Sequence, residues 1–306
     1  MLDPRQETSD QSRDRSIPPD LLKQVRRLEI RTRRIVEELF GGEYHSVFRG
    51  QGVEFREVRE YELGDDVRSI DWNVTARTGS PHIKKYEEER ELTVMLLVDL
   101  SASESFGTGE RRKNSAMAEL GALLVMSAVS NQDKVGMILF TDEVELYLPP
   151  QKGRSHGLRL IRELLYHPPR HRGTDLNAPL DALQHLQRRK TVTFLLSDFL
   201  ASGYERALRI AARRHDLIAV RFTDPREREL ADMGLVQVED PESGEVLLVD
   251  TGDEAARRAY RERAESREEQ LRQGLRRAGC DFIDVDISQS VVDPLQRFFL
   301  RRERRR

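Results

Sequence analysis

The feature that most constrains the fold is an alternation of short apolar runs with helical patterns from residue 92 onward. The run at residues 92–98 ends on Asp99 and is typical of a strand buried on both faces. Similar runs follow at residues 134–140, 191–196 and 217–222, with helical spacing of apolar residues between them. Strands that alternate with helices form a mainly parallel sheet covered on both faces. The sequence therefore predicts an α/β doubly wound fold.

Changes in composition along the chain predict its domain organisation. Residues 1–17 are almost entirely polar, and we expect a disordered tail there. Residues 18–90 hold an N-terminal helix and a segment of alternating charge, and residues 91–300 form the α/β domain. Two alternating strands joined by a turn predict a β-hairpin insertion at residues 234–250. Residues 301–306 form a basic tail.

The segment at residues 18–90 begins with apolar residues at helical spacing, which predict a helix with Asp20 as N-cap and Gly41 as its stop. The polar face of this helix is rich in lysine and arginine, and we interpret it as solvated; an acidic partner or a membrane surface is the alternative. Further along, alternating charges predict a half-exposed strand or hairpin.

Bulk composition excludes several classes of protein. The chain has 51 Lys and Arg against 54 Asp and Glu, a net charge of −3, so it has no general attraction to nucleic acid. A single cysteine, Cys280, excludes an internal disulfide and is typical of a reducing compartment, where we expect a buried, inert thiol. No stretch reaches the roughly 18 apolar residues of a membrane span. We predict a cytoplasmic protein.

Oxygen-bearing side chains follow the predicted strands at the points where the strands end. Asp99, Ser101 and Ser103 follow the first run, Asp198 follows the run at residues 191–196, and Thr174 precedes a predicted helix. Ligands of open α/β sheets collect at the carboxyl ends of the strands. Carboxylate and hydroxyl oxygens suit a hard cation, so the sequence predicts a site for Mg²⁺ or Mn²⁺.

The order Asp-x-Ser-x-Ser, then Gly-Thr-Asp, then Ser-Asp resembles the metal-ion-dependent adhesion site of von Willebrand factor A domains. We expect the hydroxyls of Ser101, Ser103 and Thr174 to contact the ion, with Asp99 and Asp198 holding it through water or orienting the hydroxyls. An ion held in this way stays electron-poor and binds an outside carboxylate, which implies adhesion to a partner and no catalysis. Taken singly, each hydroxyl residue is more often a cap or turn residue, and the neighbouring Glu104 and Asp175 have ordinary capping or solvated roles.

Upstream of the first apolar run lies a second pattern, in which charged residues surround an Ile-Asp-Trp motif. It resembles the signature of a bacterial family called domain of unknown function 58, in which such a segment precedes a von Willebrand factor A-like domain. The residues that carry the pattern are Arg56, Arg59, Tyr61, Asp65, Asp66, Arg68, Asp71, Trp72 and Arg77.

Family resemblance also implies partners. Its members are similar in role to adaptors of MoxR-type AAA+ ATPases, in chaperone-like or complex-assembly processes. The expected partners are therefore such an ATPase and a protein client with an acidic contact residue. The sequence has no Gly-x-x-x-x-Gly-Lys-Ser/Thr loop, so ATP hydrolysis would come from the partner.

The arginines and aspartates of the signature predict bidentate ion pairs around Trp72, the only tryptophan of the chain. We interpret this set as a clasp that binds the segment to the main domain. A partner-binding face is the alternative.

An enzymatic alternative is a Mg²⁺-dependent phosphohydrolase of the haloacid dehalogenase type, which also places an Asp nucleophile after its first parallel strand. Such enzymes carry a second Asp two positions later as general acid, and Ser101 occupies that position here. A serine is a poor substitute for that acid near neutral pH. We therefore favour a protein that is not an enzyme.

Overall fold

The structure of the chain is a computed structural model. It describes residues 19–39, 54–62, 65–87, 92–105, 107, 111–239 and 244–304. The predicted tail at residues 1–17 and the final two residues of the basic tail lie outside these ranges.

The strands in chain order are β1 Glu54–Glu60, β2 His82–Glu87, β3 Thr93–Asp99, β4 Lys134–Phe140, β5 Val144–Gln151, β6 Val192–Ser197, β7 Asp216–Thr223, β8 Leu235–Glu239, β9 Val246–Asp250 and β10 Asp281–Asp286. The helices are α1 Pro19–Leu39, α2 Trp72–Thr78, α3 Lys113–Ser130, α4 Arg154–Tyr166, α5 Asn177–Leu186, α6 Glu205–Arg214, α7 Pro225–Arg228, α8 Glu254–Ala278 and α9 Val292–Glu303.

A six-stranded sheet forms the centre of the structure, with the strand order β10-β7-β6-β3-β4-β5. All neighbouring strands run parallel except β5, which is antiparallel to β4 at the edge. The strand order proceeds in one direction from β3 to β5 and in the other from β3 to β10. This is the doubly wound arrangement, and it confirms the predicted fold class.

Both faces of the sheet are covered because its strands are apolar on both sides. Val94, Leu96 and Val98 of β3 face a core shared with α1, α3, α4 and α9. Met95 and Leu97 face a second core shared with α5, α6 and α8. Successive strand residues point to opposite faces, so one continuous apolar run contributes to both cores.

Helix α3 is buried over most of its length. Its inner side lies on the sheet, and α1 and α4 pack against it from outside. Val36 of α1 is buried in the same core, so the N-terminal helix packs directly onto the α/β domain. An apolar surface on all sides, as α3 has, is typical of a helix enclosed in this way.

Two smaller antiparallel sheets lie outside the central one. β1 pairs with β2, which follows only after α2, so the segment of alternating charge contains the predicted strand but does not by itself form a hairpin. β8 pairs with β9 between β7 and α8, which confirms the hairpin insertion. None of the described helices combines the length and apolar character that crossing a membrane requires.

Two predicted element ends were wrong, and one edge strand runs through two prolines. Helix α1 begins at Pro19, so Asp20 lies in its first turn; proline is favoured at that first position. Strand β5 continues through Pro149 and Pro150, which an edge strand tolerates because one of its sides needs no hydrogen bonds. Helix α9 extends to Glu303, because Arg302 pairs with Asp216 and Asp281 and anchors its last turn, so residues 301–303 of the predicted basic tail are helical.

Candidate metal site

The predicted metal residues lie where the direction of the strand order reverses, between β3 and β6. These two strands are parallel and adjacent, with Val98 opposite Leu196. Asp99 ends β3, and Asp198 follows directly after β6. The connections that leave two such strands run to opposite sides of the sheet, which opens a crevice at their carboxyl ends.

Asp99 is buried and held by hydrogen bonds on both carboxylate oxygens. Its Oδ1 accepts from the backbone N–H of Ser101 at 2.9 Å, and its Oδ2 accepts from the hydroxyl of Ser197 at 2.7 Å. The hydroxyl oxygens of Ser101 and Ser103 lie 3.1 Å apart. The Asp-x-Ser-x-Ser turn therefore brings its carboxylate and both hydroxyls together.

Asp198 is buried beside this turn and is tied to it through Glu104. The backbone N–H of Asp198 donates to Glu104 Oε1 at 3.0 Å. The Oδ1 atom of Asp198 accepts from the backbone N–H of Leu200 at 3.1 Å, and its Oδ2 atom lies 2.9 Å from Lys113 Nζ.

Three carboxylates converge at this point. Oxygen atoms of Asp99, Glu104 and Asp198 lie within 4.8 Å of one another, and all three side chains are buried. Among the described residues, Glu104 Oε2 has no hydrogen-bond partner. Burial and the nearby negative charge of Asp198 raise the pKa of Asp99 to about 7, and the same two causes raise the pKa of Glu104 well above its usual value.

The loop that carries Thr174 lies beside the same turn. The backbone N–H of Ala102 donates to Arg172 O at 2.9 Å, which places Thr174 two residues from a direct contact with the Ser101–Ser103 turn. Thr174 is half-buried. Asp175 has a local role, as expected, because its Oδ1 accepts from the backbone N–H of Asn177 at 2.8 Å. All five predicted metal residues therefore lie at one edge of the sheet.

Lys113 is the main residue that sequence reasoning missed. It begins α3, and its side chain is 0% exposed. Its ammonium group contacts Asp198 and also Glu227 of α7. Burial alone would lower the pKa of Lys113, but the charges of Asp198, Glu104 and Glu227 outweigh it and raise that pKa above its usual value. The lysine therefore stays charged and neutralises part of the acidic cluster.

Other site residues were missed or underrated. Ser197 orients Asp99 and also accepts from the backbone N–H of Phe199 at 3.1 Å. Glu104 lies inside the cluster, so the solvated role predicted for it was wrong. The sequence carried one signal for Ser197 and Glu104, their place at or just after strand ends.

The signature residues are arranged differently from the predicted set of ion pairs. Arg59 pairs with Asp65, with 2.7 Å between nitrogen and oxygen. Asp66 accepts from the backbone N–H of Arg68 and Asp71 from that of Asn73, so these two aspartates cap short helical turns.

Trp72 is 69% exposed, and the prediction that ion pairs enclose it was wrong. The physical reason is that Asp71 serves as the N-cap of α2, which turns the following side chain outward to the surface. Arg68 and Arg77 are exposed, Tyr61 is half-buried, and the side chain of Arg56 lies outside the described residues.

The donor set fits a hard divalent cation. Carboxylate and hydroxyl oxygens are the ligands that Mg²⁺ and Mn²⁺ prefer. When Asp99, Glu104 and Asp198 are all ionised, they carry more negative charge than Lys113 can balance, and an additional cation would relieve that repulsion.

The topology and this edge define a doubly wound α/β domain that collects acidic and hydroxyl side chains at its switch point. The model of the family described as "Protein of unknown function DUF58" matches residues 57–270, and the chain belongs to that family. The resemblance inferred from the signature residues is thereby confirmed.

Relatives agree with this membership. An uncharacterized protein of Mycobacterium tuberculosis is 31% identical over 289 residues, which cover 94% of this chain and 91% of the relative. The YeaD protein of Bacillus subtilis is 26% identical over 107 residues, which cover 35% of this chain and 25% of that protein.

Solved structures with some likeness include BatB from Bacteroides thetaiotaomicron, at a TM-score of 0.45 and 15% identity, covering 70% of this chain and 99% of BatB. Another is the SpRpn10 VWA domain, at a TM-score of 0.39 and 12% identity, covering 67% of this chain and 94% of that domain.

Proposed function

We propose that this protein is a non-enzymatic adaptor that binds a protein partner through a divalent cation held at the edge of its sheet. Asp99, Ser101, Ser103, Thr174 and Asp198 would hold Mg²⁺ or Mn²⁺. The partner would supply a carboxylate to the ion.

The observation that carries this proposal is the buried cluster of Asp99, Glu104 and Asp198 beside two hydroxyl groups that face each other. Buried carboxylates at such short range repel one another and favour a cation between them. Hydroxyl groups add neutral ligands, which leave the ion able to attract a further negative group.

Glu104 would affect how strongly the bound ion attracts a carboxylate of the partner. If its free Oε2 atom approached the ion, it would add negative charge to the ligand set and weaken the attraction for an outside carboxylate. Glu104 therefore tunes how strongly the ion attracts a partner, and removal of its charge should favour partner binding.

The chemical properties of Cys280 and Ser101 also support an adaptor. Burial raises the pKa of Cys280 to about 12, so its thiol carries almost no thiolate near neutral pH. Ser101 occupies the position where a phosphohydrolase of the haloacid dehalogenase type would need its general acid, and its hydroxyl lies against Ser103.

A MoxR-type AAA+ ATPase is the proposed partner because membership of the DUF58 family, together with the resemblance described above, favours it. The adaptor would bind the ATPase or its client, and the ATPase would hydrolyse ATP in a chaperone-like or complex-assembly process.

Calorimetric titration with MgCl₂ and MnCl₂ tests the metal site. We expect one site in the wild-type protein and none in Asp99→Ala, because that change removes a carboxylate at the centre of the cluster. Asp181→Ala is the matched control, since Asp181 is exposed on α5 and should leave metal binding intact. Equal binding by wild type and Asp99→Ala would refute the site.

A pull-down with a MoxR-type AAA+ ATPase, repeated with EDTA, tests the adhesion mechanism. We expect chelation to release the ATPase. If EDTA does not affect partner binding, the adhesion mechanism is rejected, whereas the proposed role as an adaptor is kept. Phosphatase activity that is lost in Asp99→Asn would instead establish the hydrolase alternative.

A further inference from the structure

The β8–β9 hairpin exposes apolar side chains on both of its faces. Leu235, Leu248 and Val246 lie on one face and are 68%, 71% and 47% exposed. Val238 and Leu247 are paired on the opposite face and are also exposed. Large apolar residues that cluster in this way on a surface are typical of an interaction site.

This hairpin is firmly anchored at its base. Thr251 is buried, and its backbone N–H and hydroxyl both donate to Gly234 O, at 2.8 and 2.7 Å. Arg257 of α8 donates to Thr251 O at 2.5 Å and pairs with Asp232 at 3.4 Å. The hairpin is therefore fixed to the domain at one end and presents its exposed apolar residues beyond it.

Two-stranded sheets without cover are marginally stable in water. β8 and β9 pair with each other alone in the described part of the chain, so each strand offers an outer edge of backbone N–H and C=O groups. A strand added along an edge would extend an apolar face of the hairpin and would satisfy those backbone groups.

Charge indicates what the added strand would carry. Between Arg228 and Arg257 the sequence has nine acidic residues and no lysine, arginine or histidine. Glu239 and Glu245 stand beside the exposed apolar positions. Two copies of this hairpin would repel each other, whereas a basic segment would be attracted.

We propose that the β8–β9 hairpin is a docking surface for a partner protein, which adds an extended segment of alternating apolar and basic residues to the edge of the hairpin. This surface is separate from the metal site and does not depend on a bound cation. The partner's apolar side chains extend one face of the hairpin, and its lysine or arginine side chains point to the other face, near Glu239 or Glu245.

Two fluorescent peptides of equal length test the proposal, one alternating valine with lysine and the other alternating valine with glutamate. Fluorescence anisotropy with the full chain should show binding of the lysine peptide, weakened several-fold or more by a rise in salt from low to physiological concentration. The glutamate peptide should not bind. Equal binding of the two peptides, or of neither, would overturn the proposal.

Variants locate the binding surface. Leu248→Asp should weaken binding of the lysine peptide by about tenfold or more, since it places a charge among the buried contacts. Leu186→Asp is the matched control, because Leu186 is also exposed but lies at the end of α5, and it should bind as wild type does. Similar losses in both variants would contradict the assignment.

A double charge reversal should change which peptide is preferred, and misfolding would not produce such a change in preference. Glu239→Lys combined with Glu245→Lys should shift the preference from the lysine peptide toward the glutamate peptide. A variant that keeps the wild-type preference would overturn the role of charge.

Other occupants of the hairpin are separate outcomes. Sedimentation that shows a dimer lost in Leu248→Asp would assign the surface to a second copy of the chain. Deletion of residues 1–18 that increases peptide binding would assign it to the N-terminal segment of the same chain. Either result would overturn the proposal of a partner protein.

Discussion

Substitution of Lys113 by methionine should tighten Mg²⁺ binding while it weakens the metal-free protein. Methionine is close to lysine in shape but removes the charge. In the wild type, the ammonium group lies 2.9 Å from Asp198 Oδ2, one of the oxygens available to a cation. Lys113 and a bound cation therefore compete for the same carboxylate.

The magnitude follows from this geometry. A Mg²⁺ ion lies about 2.1 Å from a carboxylate oxygen, so an ion on Asp198 would stand roughly 5 Å from the ammonium group. Repulsion between a divalent and a monovalent charge at that distance is about 2 kcal/mol at the dielectric constant of water and about 7 kcal/mol at an effective constant of 20. Part of this gain is offset by easier protonation of Asp198, and we expect affinity to rise by at least about tenfold.

The metal-free variant should be less stable, because Asp198 and Glu227 both lose a buried partner. Breaking a buried ion pair by removing one member costs about 3–5 kcal/mol. Mg²⁺ should restore part of that loss, so the rise in Tm on addition of Mg²⁺ should be larger in Lys113→Met than in the wild type.

The assay is calorimetric titration with MgCl₂, combined with thermal unfolding in EDTA and in saturating Mg²⁺. Lys190→Met is the matched control, since Lys190 is exposed and should change neither quantity. Glu227→Gln should act in the opposite direction, because it leaves the ammonium group of Lys113 to Asp198 alone and weakens Mg²⁺ binding. A folded Lys113→Met protein with unchanged or weaker affinity would refute the competition.

Three further outcomes follow from the structure. In EDTA, Asp99 alone should lower the free energy of unfolding by up to about 4 kcal/mol as pH rises from about 4 to 7, because its pKa is about 7 in the folded protein and lower in the unfolded chain. Asp99→Asn should therefore reduce the slope of stability against pH in urea unfolding, and part of the remaining slope comes from Glu104, whose pKa is also raised. Gly136→Ala should destabilise the protein by about 1–3 kcal/mol in urea unfolding, because an added Cβ would lie 2.8 Å from the sulfur of Met95. Arg59→Ala and Asp71→Ala separate a clasp from a partner-binding face: a clasp predicts loss of folding by circular dichroism, and a folded variant that no longer binds the ATPase would reject it.

The fold was predictable because its strands carry their own signal. A run such as β3 is buried on both faces, and this removes the alternation that a one-sided strand would show. Parallel strands also end at a common edge, so Asp99 and Asp198 could be placed together although they are far apart in the sequence. The contact between Ser197 and Asp99, for example, joins residues that are 98 positions apart.

The roles of Lys113 and Glu227 could not be predicted in the same way. The side chain of Lys113 lies against Asp198 and Glu227, which come from distant parts of the chain. Its contact with Glu227 depends on where the short helix α7 lies after β7. Such contacts follow from packing, which local spacing does not encode.

The exposure of Trp72 could not be predicted from the sequence for a different reason. The charges around it suggested ion pairs, but aspartate has two common roles near a helix start, pairing and capping, and both need the same carboxylate. Asp71 is used as a cap in the structure, and Trp72 is consequently exposed. The composition of the signature did not distinguish these roles.

The metal site and the segment that leads to the hairpin both begin at the edge of the sheet where the parallel strands end. Asp198 follows β6, while α7 and then the hairpin follow β7, and these two parallel strands end at a common edge. Glu227 of α7 contacts Lys113, which also contacts Asp198. A cation that displaces Lys113 from Asp198 would strengthen the contact between Lys113 and Glu227. Helix α7, which carries Glu227, would then be held more firmly. Because α7 leads directly into the segment that forms the hairpin, one buried lysine connects the acidic cluster to the part of the chain that precedes the docking surface, although the docking surface itself needs no bound cation.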